Sequence, residues 1–327
     1  MKIPLKTTNK GMMELQTARA RMFALPLLVA ALLAGGCSAD DQSQAAHTQD
    51  TAASAKDSGA ASSAQRVISL GGPITEIVYA LGAQDALVAA DLSSTYPEAA
   101  AQLPKVGYQR TIAAEGVLAL RPTLVLATSE AGPPPAIEQI RKAGVALTVI
   151  PSEHSQEGAK AKIRGVAAAL NRTEQGERLC SALDSAMALA AARRDSAGAG
   201  PKVIFIYARG AGALQISGQG TAADAMIALA GGRNAVSGYE GYKPLTPEAA
   251  LTAAPDVIVM TASGLQSLGG VEGLIRTAPG LDKTPAGKAK RIVALDDELL
   301  LGFGPRLGEA TLRLIELLHA NGTGAAL

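Results

Sequence analysis

The 327-residue chain is 48% hydrophobic, balances 30 Lys+Arg against 29 Asp+Glu, and contains three His, two Cys and no Trp. Such a length and apolar content suffice for one large domain or two ordinary ones with sizeable cores. A net charge of +1 supplies no basic excess for nucleic acid, and two cysteines exclude a disulfide framework.

The chain opens with an export pattern. In RARMFALPLLVAALLAGGCS, two arginines precede a short apolar run and small residues, too short for a comfortable membrane span. Residues 1–37 therefore read as a signal segment. Cys37 has two readings. It follows LLAGG as in a bacterial lipobox, with Leu33 one place too far upstream, or cleavage falls after CSA and leaves no anchor. Residues 38–65 are rich in Ala, Ser, Gln and Asp and read as a disordered tether; His47 within it has no assigned role.

From RVISLGG onward the pattern changes. Short β-branched runs at 86–90, 123–127 and 146–150 alternate with helical stretches such as PITEIVYALG, in which Tyr79 reads as core, and PPAIEQIRKAG. This predicts an α/β N-terminal lobe over 66–156 with a mostly parallel sheet. Residues 157–194 are Ala-rich, with Ile163, Val166, Leu170, Leu179, Leu183 and Met187 at helical intervals. One unbroken helix there would span about 50 Å, with Gly165 and Gly176 as the places for a bend or break. Cys180 within it reads as a small hydrophobe. Strand runs return at 202–207, 256–260 and 291–295, giving a second α/β lobe over 195–327. Its last helix has an apolar stripe of Leu312, Ile315 and Leu318, and His319 near its C-terminus suits the helix dipole. EGVLALRPTLVLAT (115–128) and EAALTAAPDVIVMT (248–261) share Glu, then Pro, then an apolar run ending at Thr, with no gap. The same helix–turn–strand unit in both halves predicts two similar lobes.

Enzyme signatures are missing. GAGALQISGQG is glycine-rich but is neither a GxxxxGK[ST] loop nor a strand–GxGxxG–helix, and no GxSxG elbow occurs. His154, in the loop PSEHSQEG, is the one folded-region histidine outside the last helix and reads as solvated. Too few histidines exist for a zinc or manganese carrier. A binding protein is therefore expected; a structural surface protein is the rival that would bind no small ligand.

The stretches VISLGGPITEIVYALG, TYPEAAAQLPKVGYQRTIAAEGVLALRP, GTAADAMIALAGGRNAV, GYKPLTPEAALTAAPDVIVM and LLGFGPR carry a resemblance. Along nearly all of 66–321 the chain is similar to the haem-specific branch of the substrate-binding proteins of bacterial ABC importers for haem, cobalamin and siderophores. The resemblance implies two α/β lobes joined by one long helix, a periplasmic location, and ferric haem carried in the cleft to a permease dimer with its ATPase. It makes Tyr96, in the YP segment, the axial ligand to haem iron. It makes Glu76 and Asp224 the acidic residues, one per lobe, that meet permease arginines. A siderophore or cobalamin cargo on the same fold is the alternative.

The chemistry of a Tyr96 ligand is sound. A phenolate is a hard anionic donor suited to ferric iron, and tyrosine ligates haem in other proteins. Haem propionates would want cations, and the planar Arg fork fits them. Arg209, just past a strand end where ligands usually meet such sheets, is the first candidate in the second lobe. Tyr239, Tyr242 and Lys243 in GYEGYKP are further candidates to stack or pair, and Tyr108 and Arg110 follow Tyr96 closely enough to share its rim.

Overall fold

The computed structural model describes residues 65–210, 212 and 214–320. The export segment with Cys37, and the tether up to residue 64, lie outside the described residues.

In the first lobe, β1 (Val67–Leu70), β2 (Leu87–Ala90), β3 (Leu124–Thr128) and β4 (Ala146–Ile150) form a four-stranded sheet in the order β2-β1-β3-β4. Every pairing is parallel. β1 and β3 are buried on both faces, as their unbroken apolar runs require, whereas β4 is a partly exposed edge. Helices α1 (Gly72–Ala80), α2 (Glu98–Ala101), α3 (Ala114–Leu118) and α4 (Pro134–Lys142) make the crossovers.

The expected single helix over 157–194 is two helices. α5 (Gln156–Ala169) ends at Leu170, Asn171 turns left-handed with φ 55°, and α6 (Thr173–Ala197) starts anew. Asn tolerates that conformation because its short polar side chain bonds locally. The two glycines are not bends. A Cβ on Gly176 would stand 2.6 Å from the Ala167 Cβ, so it lets α6 lie close on α5, while Gly165 sits over Ile150. α5 packs against β4, α1 and α6, and α6 also packs against the last helix of the second lobe. The bridge is therefore α6 alone, whose 25 residues span about 37 Å.

The second lobe contains β5 (Lys202–Tyr207), β6 (Gln215–Ser217), β7 (Arg233–Asn234), β8 (Tyr242–Pro244), β9 (Val257–Thr261) and β10 (Ile292–Leu295). The order is β10-β9-β5-β6-β8, with β7 beside the start of β5. Pairings among β10, β9, β5 and β7 are parallel; β6 pairs antiparallel with β5 and β8. Its helices are α7 (Ala222–Leu229), α8 (Pro247–Ala253), α9 (Ala262–Ser267), α10 (Gly270–Thr277), α11 (Pro285–Lys288), α12 (Asp297–Leu301) and α13 (Leu307–His319). The short strands β6, β7 and β8 have no counterpart among the sequence expectations, because two or three residues each carry no readable period.

The sequence repeat is a structural repeat. α3 and β3 correspond to α8 and β9, and the residues before the two prolines, Arg121 and Ala254, both take positive φ, 47° and 39°. Neither is glycine, so each lobe accepts a conformation of order 1 kcal/mol unfavourable to start its strand.

α13 docks on the bridge through small residues. A Cβ on Gly308 would lie 2.4 Å from the Ala186 Cβ and 3.0 Å from the Ala186 carbonyl carbon. Gly308→Val should therefore destabilise the protein by about 1–3 kcal/mol through overpacking. A clear fall in thermal midpoint is the expected result, and an unchanged midpoint would mean that α13 and α6 can separate freely.

Candidate functional site

The C-terminal ends of the parallel strands of both lobes open onto one cleft, the usual ligand position in such sheets. Its cavity is about 810 Å³, within the range of small-molecule sites. Thr128 at the end of β3 and Thr261 at the end of β9, equivalent residues of the repeat, both line it.

On the first lobe, the loops after β2 are built around buried Asp91. Its carboxylate accepts from the backbone N–H of Gly71 (2.9 Å), Ser93 (3.0 Å) and Gln109 (3.2 Å), and from the hydroxyls of Ser93 (2.7 Å) and Ser94 (2.8 Å). Lys105 Nζ adds bonds to the carbonyls of Ser94 and Ala100. These bonds fix both the segment bearing Tyr96 and the segment bearing Tyr108 and Arg110.

The cavity takes in Thr95, Tyr108 and Arg110; Tyr96, the next residue after Thr95, is not in its lining and has 43% of its surface exposed. From the second lobe come Tyr207 at the end of β5, Arg209 and Tyr242. The Arg209 guanidinium lies 5.0 Å from the Tyr108 ring and 5.7 Å from the Tyr207 ring, so it links the lobes by cation–π contacts. Tyr207 and Tyr242 are 6.1 Å apart between centroids. Arg110 pairs with Glu130, whereas Arg209 has no carboxylate partner among the described residues. The cleft thus offers three phenols and a guanidinium that no carboxylate among the described residues neutralises.

Of the other expected contacts, Tyr239 and Lys243 are not in the cavity lining; Lys243 Nζ sits 4.3 Å over the Tyr239 ring, and the Tyr239 hydroxyl donates to the Ile216 carbonyl. Tyr242 and Lys243 are neighbours on a strand and so face opposite ways. His154 is not a solvated loop residue. It lines the cavity, its ring 5.4 Å from that of Phe303, and burial lowers its pKa so that it stays neutral near pH 7. Tyr207 was missed, because as the last residue of an apolar run it reads as core; its place at a strand's C-terminal end was the available signal.

Glu76 is not a surface carboxylate. It is 5% exposed and takes a two-pronged ion pair from Arg306, Nε to Oε1 at 3.0 Å and Nη2 to Oε2 at 3.2 Å. This corrects its reading as a permease contact, since burial and a committed partner remove it from any docking face. Asp224 is half-buried at the start of α7 and accepts from Gly220 N–H and Asn234 Nδ2 within its own lobe. That is the ordinary helix-start role for a carboxylate.

The segment Glu298–Arg306 fastens the second lobe to the first. Glu298 Oε2 accepts from the Thr95 N–H and hydroxyl, both at 3.3 Å. Buried Lys162 of α5 donates to the carbonyls of Gly302 (2.9 Å) and Phe303 (3.1 Å) at the end of α12. Arg306 holds Glu76. Burial lowers the Lys162 pKa to about 8, and burial with the Glu76 charge nearby raises that of Glu298 to about 8.

A family model described as periplasmic binding protein matches residues 67–299. The chain belongs to that family. Its members act in transport as binding proteins, not as enzymes. The chain is 27% identical over 312 residues, 92% of its length and 97% of the relative's, to the uncharacterized ABC transporter substrate-binding lipoprotein YvrC of Bacillus subtilis. It is 29% identical to a vitamin B12-binding protein of Pectobacterium carotovorum, over 61% of this chain and 72% of that one. Among solved structures, the periplasmic heme-binding protein RhuT of Roseiflexus sp. RS-1 in apo form is 45% identical, with a TM-score of 0.76 over 78% of this chain and 98% of that one. The two-lobed α/β architecture with a long helix is thereby the family's own.

The raised Glu298 value makes a pH prediction. A carboxyl whose folded pKa lies above its unfolded value of 4.5 contributes fully below that value and loses its contribution as pH rises through about 8. Between about pH 5 and pH 8.5, the stability difference between Glu298→Gln and wild type should shift in the variant's favour. Urea midpoints across that window report it; a constant difference would mean that Glu298 ionises as in the unfolded chain.

Proposed function

We propose that the protein binds ferric haem in the inter-lobe cleft, with Tyr96 as iron ligand, and delivers it to an ABC importer. The observation that carries this reading is the convergence of three phenols and of Arg209, which no carboxylate among the described residues neutralises, on a cavity whose lining includes Thr95, the residue before exposed Tyr96. Phenolate oxygen suits ferric iron, and a guanidinium without a carboxylate is a ready partner for a propionate. Tyr108, Tyr207 and Tyr242 supply ring faces for a flat porphyrin. The likeness to the heme-binding protein RhuT at 45% identity supports the same cargo. The protein acts outside the cytoplasm after export through its N-terminal segment, with Cys37 either its lipid anchor or cleaved away.

Haemin titration of the mature chain, followed by absorbance, tests the cargo. Wild type should saturate with the spectrum of phenolate-ligated ferric haem, and Tyr96→Ala should lose that spectrum and weaken binding about tenfold or more. Failure of wild type to bind haemin, with binding of cobalamin instead, would assign the cargo to the vitamin B12 side of the relatives. Equal haemin binding by both proteins would reject Tyr96 as ligand.

Docking to the permease then needs exposed carboxylates on each lobe. Glu115 and Glu248 are exposed, lie in the first turns of α3 and α8, and occupy equivalent positions in the repeat. With Glu115→Lys and Glu248→Lys together, haemin affinity should stay unchanged while transfer to the importer in proteoliposomes slows roughly tenfold. Transfer at the wild-type rate would place docking on other side chains.

A further inference from the structure

Arg306 touches Tyr96 as well as Glu76. Its guanidinium carbon lies 3.4 Å from the centroid of the Tyr96 ring, the distance of a planar cation laid flat on an aromatic face. Two hydrogen bonds to Glu76 fix the guanidinium plane. Arg306 itself sits at the N-terminus of α13, so the chain from Glu76 to Arg306 to Tyr96 runs from the first lobe to the second and back. Among the described residues, the Tyr96 hydroxyl makes no hydrogen bond. Ring orientation is therefore set by stacking, while the oxygen stays free.

We propose that Arg306, pinned by Glu76, is a positioning residue that holds the Tyr96 ring so that its free oxygen meets the iron of a ferric porphyrin. This rests on the reading of Tyr96 as iron donor. The arrangement has two consequences for such a ligand. A fixed ring loses little rotamer freedom when the iron arrives. A cation over the ring is also drawn more strongly to the electron-rich ring of a bound phenolate than to a neutral one. A lysine could keep the ion pair with Glu76 but has no plane to lay on the ring.

The test uses the mature chain loaded with haemin as wild type, Tyr96→Phe, Arg306→Lys and the neutral double variant Glu76→Gln/Arg306→Gln, which leaves no buried unpaired charge. Two readouts are taken: the iron–phenolate bands in resonance Raman spectra, and haem release to excess apomyoglobin. Tyr96→Phe should abolish the bands. Arg306→Lys and the double variant should bind one equivalent with weakened or shifted bands and release haem about tenfold faster. If both Arg306 variants keep wild-type bands and release while Tyr96→Phe loses the bands, the positioning role is overturned and Tyr96 remains the donor. Wild-type behaviour of Arg306→Lys alone would also overturn it, because the ion pair and not the stack would then suffice. Should Tyr96→Phe keep the bands, the donor reading fails first, and the role of Arg306 fails with it.

Discussion

The buried ion pair between Arg306 and Glu76 joins the two lobes at the point where the cleft begins, and the rest of the arrangement depends on it. Removing one partner would leave a charge with almost no solvent, a cost of several kcal/mol that keeps the pair closed. Around it the short segment from Glu298 to Arg306 makes two more crossings, through Thr95 and Lys162. Together with α6 these crossings set the separation of the lobes. Lobes held in this way leave the cleft little freedom to open or close.

That constraint reaches the ligand-facing loops by a second route. Asp91 spends its whole hydrogen-bonding capacity on three backbone N–H groups and two hydroxyls. The loops that bear Tyr96, Tyr108 and Arg110 are therefore tied to one buried carboxylate at the end of β2. On the other lobe Tyr207 and Arg209 continue directly from a strand buried in the core. Neither half of the cleft relies on a long free loop for its main contacts, which suits recognition of a flat, rigid molecule.

The mixture of buried Glu76, Glu298, Lys162 and Arg306 has its own logic. One guanidinium faces two carboxyls in a site with little water, and burial leaves the Glu298 carboxyl protonated at neutral pH. The Arg306 charge is thus matched by Glu76 alone, while the Lys162 ammonium is held by the Gly302 and Phe303 carbonyls. Buried polar clusters of this kind contribute less to stability than well-packed apolar side chains would, but they specify geometry. Here the geometry specified is the relation of one lobe to the other.

Much of this was legible in the sequence because it depends on local pattern. Six of the strands follow from β-branched runs, and the repeat of Glu, Pro and Thr announced two related lobes whose threonines both line the cleft. Arg209 and Tyr242 were readable from their places at strand ends and in an aromatic loop. What the tertiary structure decided depended on contacts between residues far apart in sequence. Glu76 looked like a surface acid until Arg306, 230 residues on, covered it. His154 looked solvated until Phe303 packed beside it. The bridging helix looked continuous because apolar residues keep helical intervals on both sides of Asn171, where one left-handed residue suffices to break it. Sequence periodicity reports which face of an element is apolar; it does not report which distant charge or ring will close over that face, since that is fixed only when both lobes pack on α6.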